Sequence, residues 1–293
     1  MSAGDRTLNT GSRLDPGSQA WIDGLLSAGA ERDQALARLR DLVLRVARRE
    51  AARRSGSLRP GGPDPDGLAG RAAADAFRKI AADLGAIQGD SRFTTWAAKY
   101  AVAAVAAAAA KAGARRYWAA AQQPLDSGWD RLPGRLGLAP HEHAGWDEFA
   151  AALRRAVEDH LSDKQRRAFT AVTLDGVPAE VLASGLGSSR SAIYKALFEA
   201  RRTLRARLAA DGHDPARRTG NASACPRWAD AVLAADPGDA GCDFTFQLLD
   251  RYVEAELRGP GPERRFPAVA AHLRSCPDCH QDCQGLMAAA ASD

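Results

Sequence analysis

Apolar residues recur three and four positions apart over most of this chain. Segments 19–53, 67–86, 91–120, 147–160, 163–174, 178–186 and 189–209 all carry this spacing, which lines one face of a helix. No run of alternating β-branched residues marks a strand, so an all-α fold is expected. Turn-forming residues punctuate the pattern at SGSLRPGGPDPDG (55–67), at 121–145, at DGHDPARRTGNASACP (211–226) and at LRGPGPERRF (257–266). The expected organisation is a disordered N-terminus at 1–15 and a helical domain at 16–120. A linker at 121–145, a second helical domain at 146–210, a linker at 211–226 and a C-terminal helical domain at 227–293 complete it.

The stretch LSDKQRRAFTAVTLDGVPAEVLASGLGSSRSAIYKALFEARRTLRARL (161–208) shows its local structure in most detail. Ser162 with Gln165 predicts a capping box opening a helix that runs to about Leu174, and Asp175-Gly176 turns the chain. Pro178 suits a first helical position, Gly187 ends a short helix, and Ser188 or Ser189 caps the next. In that last helix Ile193, Leu197, Ala200 and Leu204 make one inward stripe, leaving Arg190, Ser191, Tyr194 and Lys195 on the outside. Two helices joined by a glycine turn, with polar donors early on the second, make a helix-turn-helix. Its second helix would enter a DNA major groove, while Arg201, Arg202 and Arg205 further along suit phosphates.

Length and composition narrow the class. The 293 residues suffice for two or three modest domains, and 45% hydrophobic with 26% charged residues is ordinary for a soluble protein. The opening MSAGDRTLNTGSRLDPG lacks an apolar export signal, and AVAAVAAAAA (101–110) is about half a bilayer span, so a cytoplasmic protein with no membrane partner is expected. The net charge of +4 is uneven. Residues 227–293 hold 6 basic and 11 acidic side chains, and residues 1–226 hold 34 basic and 25 acidic. A basic body with an acidic tail points to a polyanionic partner and to the tail as its internal competitor.

All five cysteines (Cys225, Cys242, Cys276, Cys279 and Cys283) lie in the last 70 residues, which points to metal binding or redox chemistry. In HLRSCPDCHQDC (272–283), His272 and Cys276 are four apart and Cys279 follows at CxxC spacing. These three can surround one tetrahedral ion, and Cys242, 30 residues upstream, offers a fourth ligand; His280 and Cys283 are spares, and Cys225 sits in a linker. Four nitrogen and sulfur ligands leave no open position, so the site would be structural or sensory. No HExxH motif, Ser/His/Asp order or phosphate-binding glycine loop is present; an enzyme is not expected, nor is a small-molecule substrate.

Four stretches carry resemblances. Leu161, Gln165-Arg166-Arg167, Leu174-Asp175-Gly176, Leu182-Ala183 with Leu186-Gly187, and Ala200-Arg201-Arg202 with Leu204 resemble region 4 of the extracytoplasmic function (ECF) sigma factors. Gly89, Asp90, Ser91, Phe93, Thr95 and Trp96 resemble the Gly-Asp-Ser-x-Phe-x-Thr-Trp segment of region 2 in the same family. Asp66-Gly67-Leu68 resembles its polymerase-docking Asp-x-Asp-Leu, with one acidic position lost to glycine. The spacing Cys-x29-His-x3-Cys-x2-Cys, with AAHLRSCPDC around it, resembles the zinc-containing anti-sigma domain.

The resemblance implies two sigma domains that bind core RNA polymerase and promoter DNA. Asp66 and Leu68 would contact polymerase. Asp90, Ser91, Arg92, Arg115 and Arg116 would serve the −10 element, and Arg190, Ser191, Tyr194, Lys195, Arg201 and Arg202 the −35 element. One zinc would be held by Cys242, His272, Cys276 and Cys279, and the tail would contact the sigma domains intramolecularly. Asp90 or Ser91 could cap the region 2 helix, and Phe93 and Trp96 fit its core. After Trp96 the chain departs from the family: Ala-Val-Ala-Ala-Val-Ala-Ala stands where Asn and several Arg are usual. The other reading is a metal- or redox-responsive DNA-binding regulator that never joins polymerase.

Overall fold

The computed structural model describes residues 14–55, 64–87, 89–120, 127–135, 143–213 and 232–292. The fold is all-α, with no strand among the described residues. The helices are α1 (Pro16–Leu26), α2 (Ala30–Ser55), α3 (Pro65–Asp83), α4 (Phe93–Ala120), α5 (Ser127–Arg135), α6 (His143–His160) and α7 (Asp163–Phe169). They continue with α8 (Ala179–Gly185), α9 (Arg190–Ala210), α10 (Gly241–Arg258), α11 (Pro262–Arg265), α12 (Pro267–Ser275) and α13 (Pro277–Ala290). Expectations for 1–13, 121–126, 136–142 and 214–226, Cys225 included, lie outside the described residues, as do the side chains of Arg115 and Arg116.

Packing divides the chain into two bodies. One comprises Met1–Ala109, Phe244–Ala270 and Cys279–Asp293; the other comprises Ala110–Asp243 and Ala271–Asp278. The stretch expected as a C-terminal domain is therefore apportioned between them.

In the first body, Leu39, Leu42, Val43, Leu68, Ile80, Phe93 and Trp96 form the centre of the core. Ala47, Ala69, Ala76, Ala97 and Ala101 are buried beside them, and such small side chains let helix axes approach closely. Trp21, Phe93, Trp96, Tyr100 and Phe246 follow one another at centroid distances of 5.0, 5.7, 5.1 and 5.6 Å. By length and composition, residues 93–114 could cross a bilayer, yet 72% of the apolar window is buried inside the protein, as in a core helix. At the start of α4 one backbone donor is satisfied from a distant segment. The backbone N–H of Phe93 donates to Ser18 Oγ at 2.7 Å, so the cap comes from α1, far off in sequence.

The C-terminal end of α2 meets α13 in the same body. Glu50, 3% exposed, accepts from Arg53 and Arg54, and Arg54 also reaches Asp282 at 2.7 Å. A Cβ at Gly285 would stand 2.5 Å from Glu50 Oε2.

In the second body, Ser162 and Gln165 form the expected capping box. The helix they open becomes a π turn over Thr170–Leu174. Gly187, at φ +60°, takes the left-handed conformation that separates α8 from α9, and Ser189 caps α9 by accepting from Ala192 N at 3.1 Å. Ile193, Leu197, Ala200 and Leu204 are all buried, as the stripe predicts. Within the span expected as linker, α5 contributes Trp129 and Leu132 to a core with Trp146, Phe149, Leu153, Val232 and Leu233.

Replacing Ser18 by Ala leaves the buried Phe93 N–H without its acceptor. A loss of about 1–3 kcal/mol is expected in urea denaturation, with helical content retained.

Candidate functional site

Cys242 stands in the first turn of α10, His272 within α12, Cys276 at the corner after α12, and Cys279 in the first turn of α13. One helical turn separates His272 from Cys276, and the Pro277 corner brings Cys279 round to the same side. All four residues are buried, and their ligand atoms lie within 4.8 Å of one another. His272 Nδ1 is 2.7 Å from Asp239 Oδ1, whereas Nε2, also buried, has no hydrogen-bond partner. An oriented imidazole with one nitrogen left over, beside three thiols, is a donor set that could hold a metal ion. The four residues picked from spacing are the four that converge. His280 is exposed against Gln284, and Cys283 lies outside the group.

The electrostatics agree with this donor set. Burial works against the Asp239 carboxylate, but hydrogen bonds from His272, Ser275, Tyr194 and the Gly241 N–H outweigh it and hold the group down at about 2. Burial also opposes the His272 imidazolium, yet the hydrogen bond to Asp239 and the neighbouring Cys242 and Cys276 sulfurs keep it protonated up to about 11. Nε2 must give up that proton before it can ligate, so metal uptake should release protons and weaken as pH falls. Burial pushes the Cys283 thiol up to about 12, aided by Glu256 and Asp282, which makes it inert at neutral pH.

The outer face of the helix-turn-helix is covered in part by the C-terminal segment. Tyr194, expected to face outward, is 6% exposed; its hydroxyl donates to Asp239 at 2.5 Å and contacts Ser275 Oγ at 3.1 Å. The Tyr194 ring stands edge-on to that of His272, with centroids 4.6 Å apart. Ser191 Oγ donates to Asp243 at 2.8 Å, and Asp278 accepts the Glu180 N–H in the first turn of α8. Arg190 pairs with Glu180 at 3.3 Å. Arg201, expected to meet phosphate, is half-buried and donates to the Ala234 carbonyl at 3.4 Å. Lys195 and Arg202 are exposed. The stripe in 161–208 could not place Tyr194, because the groups that bury it come from 239–275.

The first body shows the same pattern on α4. Asp90 is ion-paired with Arg251 and with Arg265, and Ser91 is buried. Arg92 reaches Glu254 at 2.7 Å and the Ala290 carbonyl at 3.0 Å. Sequence reasoning gave Thr95 no contact of its own and missed Lys99. Thr95 donates to Glu254 at 2.6 Å, and buried Lys99 donates to Asp250 at 2.6 Å while lying over the Phe246 ring. A signal for this pairing exists in the sequence. Thr95 and Lys99 are four apart, as are Asp250 and Glu254, so two helices running antiparallel match polar groups one turn apart. Leu68 is a core residue, 2% exposed, which leaves Asp66 as the accessible member of the expected polymerase-contact pair.

No protein-family model, curated protein or solved structure matches the chain.

Two outcomes are expected here. Cys276→Ser should abolish stoichiometric metal binding in elemental analysis, while Cys283→Ser leaves it intact. Asp250→Ala strands the buried Lys99 ammonium and should cost about 3–5 kcal/mol in denaturant unfolding, against under about 1 kcal/mol for Arg78→Ala at an exposed pair.

Proposed function

We propose that this protein is an ECF-type sigma factor whose zinc-binding C-terminal segment holds it in check. The observation that carries this reading is a conjunction in one chain and in the expected order. GDSRFTTW opens a helix of the first body, the α8–turn–α9 pair follows in the second, and HLRSCPDC supplies metal ligands at the end. Each part alone has bland explanations; their order is much harder to obtain by chance.

In this reading, residues 16–120 bind core RNA polymerase and the −10 element, and residues 146–210 present α9 to the −35 element. The protein acts in the cytoplasm, where polymerase and DNA are. Zinc is the metal that best suits a closed set of three thiolates and one imidazole, which leaves no position for a reactive water. Its role is then to hold the segment folded.

Charge supports regulation by the same segment. Asp239, Asp243 and Asp278 engage polar groups of α8 and α9, and Asp250 and Glu254 engage Arg92, Thr95 and Lys99 of the first body. These carboxylates stand where DNA phosphates or base edges would otherwise bind. A covalently tethered competitor acts at an effective concentration on the order of millimolar, so weak contacts suffice to inhibit.

Transcription with core polymerase from genomic promoter fragments tests this proposal. A chain ending after residue 213 should direct start sites that the full chain uses at least about tenfold less, the scale of one tether-strength contact. Failure of either form to associate with core polymerase, with DNA binding retained, would favour the regulator that works without it.

A further inference from the structure

The helix that the proposed function assigns to DNA also furnishes the surroundings of the metal ligands. Asp239 is the junction. One of its oxygens takes His272 Nδ1 at 2.7 Å and the Gly241 N–H at 2.8 Å; the other takes Ser275 Oγ at 2.6 Å and Tyr194 Oη at 2.5 Å. The carboxylate is nearly saturated, and the tyrosine is the one donor that comes from the helix-turn-helix.

We propose that Tyr194 is an outer-sphere positioning residue of the Cys242/His272/Cys276/Cys279 metal site, so that the DNA-reading helix itself sets how tightly the metal is held. It acts through Asp239, fixing the orientation of the His272 ring and the tautomer that leaves Nε2 to ligate. Because coupling between two binding events is reciprocal, whatever draws α9 away from Asp239 loosens the metal, and a firmly held metal keeps α9 on Asp239 by the same factor. DNA and metal are then antagonistic ligands, linked by a single carboxylate. The inference rests on the cluster being a zinc site and is independent of whether the chain joins polymerase.

Zinc affinity of the full-length protein, measured by competition with a chromophoric chelator, tests the proposal. The absorption spectrum of the Co²⁺-substituted protein gives a second readout. Tyr194→Phe should weaken zinc binding about 10- to 100-fold and shift the Co²⁺ spectrum, the range typical for loss of an outer-sphere partner. Ser191→Ala, on the same helix but bonded to Asp243, should stay within about twofold of wild type. In an Asp239→Asn background Tyr194→Phe should add nothing further, because its route to the ligand is already cut. Should Tyr194→Phe fail to fold, the Co²⁺ spectrum of Asp239→Asn decides: it should shift from wild type, and an unchanged spectrum would overturn the inference, since Tyr194 reaches His272 through Asp239. Wild-type affinity in Tyr194→Phe, or equal losses with and without Asp239, would overturn the inference while leaving the zinc site standing. Absence of zinc binding by the wild-type protein would overturn both.

Discussion

A lysine ammonium and an aspartate carboxylate, 5% and 4% exposed, meet at 2.6 Å on the flank of α4, and much of the first body follows from that contact. Neither charge could stay there alone, since a lone buried ion costs several kcal/mol and the pair repays this only when geometry is good. Lys99 meets that condition with a carboxylate, a backbone carbonyl and an aromatic face. The surface that α4 offers is therefore defined by its need for an anion. In the folded chain α10 supplies one from Asp250, and Glu254 one turn on does the same for Thr95 and Arg92. A polyanion could satisfy the same donors, which makes the contact exchangeable in a way that an apolar seam would not be.

The second body uses the same device with more intermediates. Asp239 serves a tyrosine of α9, a serine and a histidine of α12, and a backbone amide at the start of α10. Its stability as a carboxylate derives from those four donors acting against burial. Here one carboxylate joins the buried Cys/His cluster to α9.

Much of this was legible in the residue pattern. Helical period, the capping box at Ser162, the glycine turn at 187 and the inward stripe of α9 depend on neighbours within one or two turns, and sequence displays such relations directly. Three members of the Cys/His cluster, His272, Cys276 and Cys279, were readable because CxxC and a helical His-x3-Cys restrict geometry on their own. The orientation of Tyr194, the cap on Phe93 and the burial of Lys99 were not. Each depends on a partner far along the chain: Asp239, Ser18 and Asp250. An outward-facing polar residue and a polar residue awaiting a distant acceptor look identical in a single segment. Helix α5 was read as linker because Gly134 and Pro133 outweighed its two buried anchors, Trp129 and Leu132.

Gly285 sets how closely the last helix can lie on α2. The absence of a side chain there lets α13 settle against the Glu50 carboxylate, within a space that one methyl group would overfill. Cys279 stands two turns earlier on the same helix. A methyl group at 285 would have to displace either the Glu50 carboxylate or α13 itself, and any shift of α13 would carry Cys279 with it.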